Sequence, residues 1–271
     1  MSSTRRHSPS RRRHTLGIAA AAVLSVLMLA SCGGGGSSST SSADTSATSY
    51  GGGLTPGSVQ MTITDRVTIT VSMPDLTGVN LSTLDLAGFN ALPLVTKTIN
   101  IGLDANHAPK STANFLAYLK SGAYANTVFH RVIQGFVVQG GGYTDVNGTL
   151  THITTQDPIG LESRNGLSNT RGTLAVARTT DPNSATSEFY FNQANNDYQR
   201  DTSGKVLVDS TTGLPVPILN YPATDNAGYA VFGSIMDQAS MDAIDAIAQI
   251  PTDGNDQPLR DITITAIAIT H

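Results

Sequence analysis

Apolar and polar residues alternate in several short runs of this chain. Each run reads as a half-buried strand, because successive strand side chains point to opposite faces. Val67-Thr68-Ile69-Thr70-Val71 is one such run, and Val59 to Thr64 has the same pattern. Thr98 to Leu103, Ser187 to Phe191, Gly228 to Gly233 and Ile262 to Ile267 are others. The stretch Phe129 to Gly142, FHRVIQGFVVQGGG, reads as one alternating strand through Val132, Ile133, Phe136, Val137 and Val138, closing on Gln139 and three glycines. On it Phe136, Val138 and Gly140 share one face, Val137 and Gln139 the other. Two segments have the longer helical period. Phe115, Leu116 and Leu119 share a face after Ala108-Pro109, with Lys120 in the last turn and Gly122 as a stop. Met241, Ile244, Ile247 and Ala248 do the same within Met236 to Ile250. Many short strands with two helices predict a mainly β domain closed as a barrel.

The pattern fails before residue 58. Residues 1–31 hold five arginines, Arg5, Arg6, Arg11, Arg12 and Arg13, and no acid. An apolar run follows from Leu16 to Ala30, too short and Ala-rich for a membrane span but suited to a secretory segment. Arg11-Arg12 also reads as a twin-Arg export signal, a poor fit to the residues after it. The run ends Leu29-Ala30-Ser31-Cys32, which resembles the lipobox of bacterial lipoprotein signal peptides. That resemblance implies cleavage before Cys32 and its lipidation, hence export and a lipid anchor in a bacterial membrane, facing the periplasm or the cell exterior. Cys32 is the only cysteine, so neither an intrachain disulfide nor a multi-Cys metal site is possible. Residues 32–57 are nearly all Gly, Ser, Thr and Ala, a disordered tether with roughly 25–30 Å of reach. Residues 58–93 form an extension of uncertain structure, read as an elaborated first strand and loop of the domain at 94–271. Without residues 1–31 the chain has 11 basic against 20 acidic residues, which argues against nucleic acid as a partner.

The candidate chemistry lies on the Phe129–Gly142 stretch. Arg131 is a permanent cation with five donors in a planar fork. Taken alone it reads as an exposed, solubilising residue. Its setting changes that. Phe129-His130-Arg131, Gly135-Phe136 and Gln139-Gly140-Gly141 together resemble the signature of the cyclophilin family of peptidyl-prolyl cis-trans isomerases. Ala177-Arg178, DPNSATSEFYFN at Asp181 to Asn192 and GYAVFG at Gly228 to Gly233 resemble its bacterial, exported branch. The resemblance runs from about Leu94 to the C-terminus.

What the resemblance implies is a closed eight-stranded antiparallel barrel capped by two helices. It also implies isomerisation of X-Pro bonds in unfolded or folding polypeptides, by a monomer that uses neither cofactor nor metal. Arg131 falls where the family has its catalytic donor. Phe136, Val137, Phe189, Tyr190 and Tyr229 fall where family residues form or border the proline pocket. Gln139 falls on an amide supporting the arginine and the substrate backbone. Ala177 and Arg178 fall on the strand end that pairs with substrate, and His130 reads as a structural or pocket-edge histidine. Four positions depart from the pattern: Val137 for Met, Tyr190 for Phe, Tyr198 for Trp and Glu188 for Gln. A carboxylate at Glu188 is expected to pair with Arg131 or Arg178, pre-orienting the catalytic cation or competing for it. Gln199 to Gly228 is an insertion, read as a hairpin that shapes the groove or as a tolerated surface loop. Two further readings stay open: a proline-segment binding module or chaperone with weak or no turnover, and a structural surface lipoprotein, which explains the tether but not the site.

Overall fold

The computed structural model describes residues 59–222 and 227–270. The signal segment, the tether and Cys32 lie outside them. The described residues fall into two compact units. One is Thr77–Ala91, which contains the short helix α1 (Leu86–Ala91), capped where Asp85 Oδ1 accepts the Gly88 N–H at 2.8 Å. The other takes in the described residues on either side of it and carries all the strands.

In chain order the larger unit holds β1 (Asp65–Pro74), β2 (Leu94–Leu103), helix α2 (Pro109–Lys120), β3 (Thr127–Val128), β4 (Arg131–Val132) and β5 (Val137–Gly140). Then come β6 (Tyr143–Val146), β7 (Thr149–His152), β8 (Thr173–Val176), β9 (Phe189–Asn192), β10 (Val231–Ile235), helix α3 (Gln238–Ile247) and β11 (Thr263–Thr270). They form one antiparallel sheet in the order β4-β5-β9-β8-β10-β2-β1-β11-β3-β6-β7. The expected closed ring of eight is not what the ladder shows; it has eleven strands and two ends. β3 and β4 are separated in the chain only by Phe129 and His130, yet eight places apart in the sheet. The sheet must therefore curl strongly to bring them back together.

β1 explains why the early alternating pattern is so regular. Val67, Ile69, Val71 and Met73 are buried while the residues between them are not. β1 lies inside the sheet, paired with β2 on one side and β11 on the other. Residues 59–64 do not join the ladder as expected. They are tied down by single bonds, Val59 N–H to the Gly166 carbonyl at 3.0 Å and Thr62 N–H to the Asp104 carboxylate at 2.8 Å.

The interior of the curl is aromatic. Phe115 from α2, Tyr124, Phe129, Phe189, Phe191 and Phe232 pack ring on ring, with centroids 5.2–6.3 Å apart. Helix α3 begins at Asp237, whose carboxylate accepts the Ser240 N–H at 2.7 Å and the Asn100 side-chain amide at 2.9 Å. Burial pushes this carboxyl up, but its hydrogen bonds from Asn100 and Ser240 outweigh that and hold it below the usual aspartate range. Asp245 behaves alike: burial raises it, and the Arg171 fork and Gln193 lower it further. A carboxyl depressed in the folded state stabilises above its unfolded pKa and loses that contribution as pH falls through its folded one. The urea midpoint should thus hold steady from pH 7 to about 5 and fall below about pH 4. Asp237→Ala should lower stability at neutral pH by about 1 kcal/mol and flatten that acid decline.

Candidate active site

Phe129 to Gly142 is not one strand. Gly135, at φ 79°, turns the chain, and the Ile133 and Val137 backbones bond across the turn at 2.9 Å. β4 and β5 therefore form a hairpin in which Arg131 stands directly opposite Gln139. Gln139 is opposite Tyr190 on β9, Tyr190 opposite Ala175 on β8, and Ala175 opposite Val231 on β10. Directly opposed residues share a face of a sheet. One row thus runs across five strands: cation, amide, aromatic ring, two small apolar side chains.

The residues two positions along each strand complete that face. Val137, Leu167, Ala175, Ala177, Tyr190 and Val231 form a buried apolar cluster, and the half-buried Met61, Phe136, Leu219 and Tyr229 pack against it. Of the residues expected to form or border the proline pocket, Phe136, Val137, Tyr190 and Tyr229 are thus together, joined by Ala177 from the expected substrate-pairing strand end. Phe189 is not with them. It is one residue from Tyr190, so it points to the opposite face and sits in the aromatic interior. Tyr198 is half-buried at the foot of the insertion, bridged to Pro217, and is not one of this cluster. The insertion itself doubles back through Leu207–Gln199 and Val216–Leu207 backbone bonds, with Val208 and Leu214 exposed.

The extra hydroxyl at Tyr190 has a partner. It donates to Asn169 Oδ1 at 2.9 Å, inside a buried network with Asn192, Asn196 and Thr173. Burial pushes this phenol well above its ordinary pKa, so it remains a donor. Tyr190→Phe should cost about 1 kcal/mol, read from denaturant midpoints, and should leave the pocket walls in place.

The polar side of the row is organised by carboxylates. Arg131 is 39% exposed; its Nε faces Asp256 at 3.5 Å and its Nη1 donates to Gln139 Oε1 at 3.4 Å. Gln139 in turn donates from Nε2 to Glu188 at 2.8 Å. Glu188 is not paired directly with Arg131 as expected. Its carboxylate is taken by Gln139 and faced by two histidines, His130 Nε2 at 3.3 Å and His152 Nε2 at 3.7 Å. Both imidazoles pack edge-on against Tyr143, at 4.6 and 4.8 Å. Burial pushes the Glu188 carboxyl up, but hydrogen bonds from His130 and Gln139 and the charges of His130 and His152 bring it below its usual value. Arg178 lies over the Tyr229 ring at 4.2 Å and donates from Nε to the Gly228 carbonyl at 3.0 Å.

Four of these residues escape a sequence reading. Asp256 arrives from the α3–β11 loop, held by the bond from Val132 N–H to its carbonyl at 2.8 Å, and no local signal marks it. Tyr143 and His152 face each other on the β6–β7 hairpin, a Gly/Asn/Thr-rich stretch that reads as loop in the sequence. Its Asn147-Gly148 turn, both at positive φ, is a hairpin signal that the chain did carry. Asn169 has no such mark. Among the described residues no three His, Cys, Asp or Glu side chains converge as a metal site.

Residues 92–269 match the family model for cyclophilin type peptidyl-prolyl cis-trans isomerase. A peptidyl-prolyl cis-trans isomerase of Acinetobacter baylyi is 44% identical over 154 residues, 57% of this chain and 68% of that one. Isomerase B of Escherichia coli is 38% identical over 168 residues, 60% and 88% of the two chains. Isomerase cyp18 of Streptomyces antibioticus is 37% identical over 183 residues, 66% and 95%. A crystal structure of a cyclophilin type isomerase from Cryptosporidium parvum overlaps 76% of this chain and 98% of its own, at 23% identity and a TM-score of 0.48. With a family match over most of its length, on the strands that bear Arg131 and the apolar cluster, this chain belongs to the cyclophilin type peptidyl-prolyl cis-trans isomerases.

Proposed function

We propose that the chain isomerises X-Pro bonds of extracytoplasmic proteins, with Arg131 as the donor to the prolyl nitrogen and Cys32 as a lipid anchor. Rotation about a peptide bond is opposed by amide resonance, a barrier of about 18–20 kcal/mol. Lowering it takes no nucleophile. It takes a pocket that grips the proline ring and a donor that meets the nitrogen lone pair as resonance is lost. A bond that forms only in the twisted state stabilises the transition state over either ground state. The observation that carries this reading is the single row in which Arg131 and Gln139 stand beside Tyr190, Ala175 and Val231. The pocket floor at Val137 is short, which leaves room for the ring. The anchor is supported by the Leu29-Ala30-Ser31-Cys32 run and the Gly/Ser tether after it.

Titrating a short Ala-Pro peptide into the isotopically labelled chain tests the pocket. Shifts should concentrate at Phe136, Val137, Ala177, Tyr190 and Tyr229. Shifts confined to the insertion or the β6–β7 hairpin would place the peptide elsewhere. For the anchor, Cys32→Ser should move the protein from the membrane to the soluble fraction of a bacterial host; an unchanged membrane fraction would refute lipidation at Cys32.

A further inference from the structure

We infer that Glu188 is a positioning residue for the isomerase, acting through Gln139 on Arg131, an inference that rests on Arg131 being the donor. An ionised carboxylate only accepts hydrogen bonds, and a guanidinium only donates. Gln139 lies between the two, and its amide has one accepting and one donating end. With Glu188 on one side, the amide must present Nε2 to the carboxylate, at 2.8 Å, and so Oε1 to Arg131, at 3.4 Å. The charge of Glu188 therefore fixes which way the amide faces. A neutral amide at this position would accept or donate equally well, and only the longer contact from Arg131 would then hold the orientation of Gln139.

The surroundings are built to keep that charge in place. Glu188 is only 21% exposed, with His130 from the β3–β4 junction and His152 from β7 on its two oxygens. Tyr143 on β6 spaces the two imidazoles. Gly142 supplies the room: a Cβ there would lie 2.6 Å from Glu188 Cγ and 2.7 Å from Oε1. On the far side Asp256 faces Nε of Arg131, so the guanidinium is held between two acceptors.

The test is a double-mutant cycle on the whole chain, read as kcat/KM on an Ala-Pro peptide. Glu188→Gln should lower the rate roughly fivefold, mainly in kcat, the difference between a charge-assisted and a neutral hydrogen bond. In a Gln139→Ala background the same substitution should change nothing, because the part it acts through is gone. Equal losses in both backgrounds would overturn the inference, and so would an unchanged rate for Glu188→Gln. A wild-type chain whose rate is indifferent to Arg131→Ala would instead remove the donor assignment beneath it. A second measurement needs no variant. The Gln139 side-chain amide signals of the wild-type chain should shift as Glu188 is protonated, below the usual glutamate range. Signals that ignore that titration would also overturn it.

Discussion

Phe189→Ala is expected to destabilise the domain by about 3–5 kcal/mol. Its ring is fully buried and meets Phe115, Tyr124, Phe129 and Phe191 edge-on. Truncation removes the burial and the aromatic contacts and leaves a cavity that surrounding rings on a curled sheet cannot close. The Gly141 backbone also lies against this ring: a Cβ there would come within 2.7 Å of it. Denaturant unfolding gives the number, and a loss under about 1 kcal/mol would mean that Phe189 is not in the core. Tyr190, its neighbour, is the informative control. Tyr190→Ala should weaken peptide binding, whereas whatever folded Phe189→Ala remains should bind the peptide with little change in KM.

The second large effect is on rate. Arg131→Lys should lose nearly as much catalysis as Arg131→Ala, roughly 100-fold or more for a donor aimed at charge that develops in the transition state. A lysine keeps the charge but not the planar fork. Arg131 uses one edge of that fork toward Asp256 and one nitrogen toward Gln139. An ammonium on a flexible stem cannot be held by both and still present a donor to the pocket. Since the side chain is substantially exposed, neither variant should shift the unfolding midpoint by more than about 0.5 kcal/mol. A lysine variant with near wild-type kcat would show that charge alone suffices.

How far the sequence led depends on what each element needed. β1 was legible because its burial alternates with the period of two that the residues display, and β2 follows the same alternation from Thr98 to Ile101. Helix α2 was legible from its apolar face and flanking Pro109 and Gly122. The central hairpin was not, because the alternation runs on through Gly135 as if no turn were there; one glycine at φ 79° outweighs the pattern around it. Phe189 and Tyr190 show the cost of being one residue out on a strand, since each step exchanges the pocket for the interior. The family resemblance singled out the stretch, and register decided which of its side chains meet. Asp256 and Asn169 could not be found at all, because they reach the site through tertiary contacts. The partners of Glu188 were misjudged for the same reason: two histidines from distant parts of the chain, rather than an arginine, surround it.

The most direct test of the central claim is the cis-to-trans rate of a short Ala-Pro peptide with the purified chain beside its Arg131→Ala variant, both shown folded. The structure predicts clear acceleration by the former and a loss of roughly 100-fold or more in the latter. An Arg131→Ala variant that retains the wild-type rate would contradict the assignment of Arg131 as the donor.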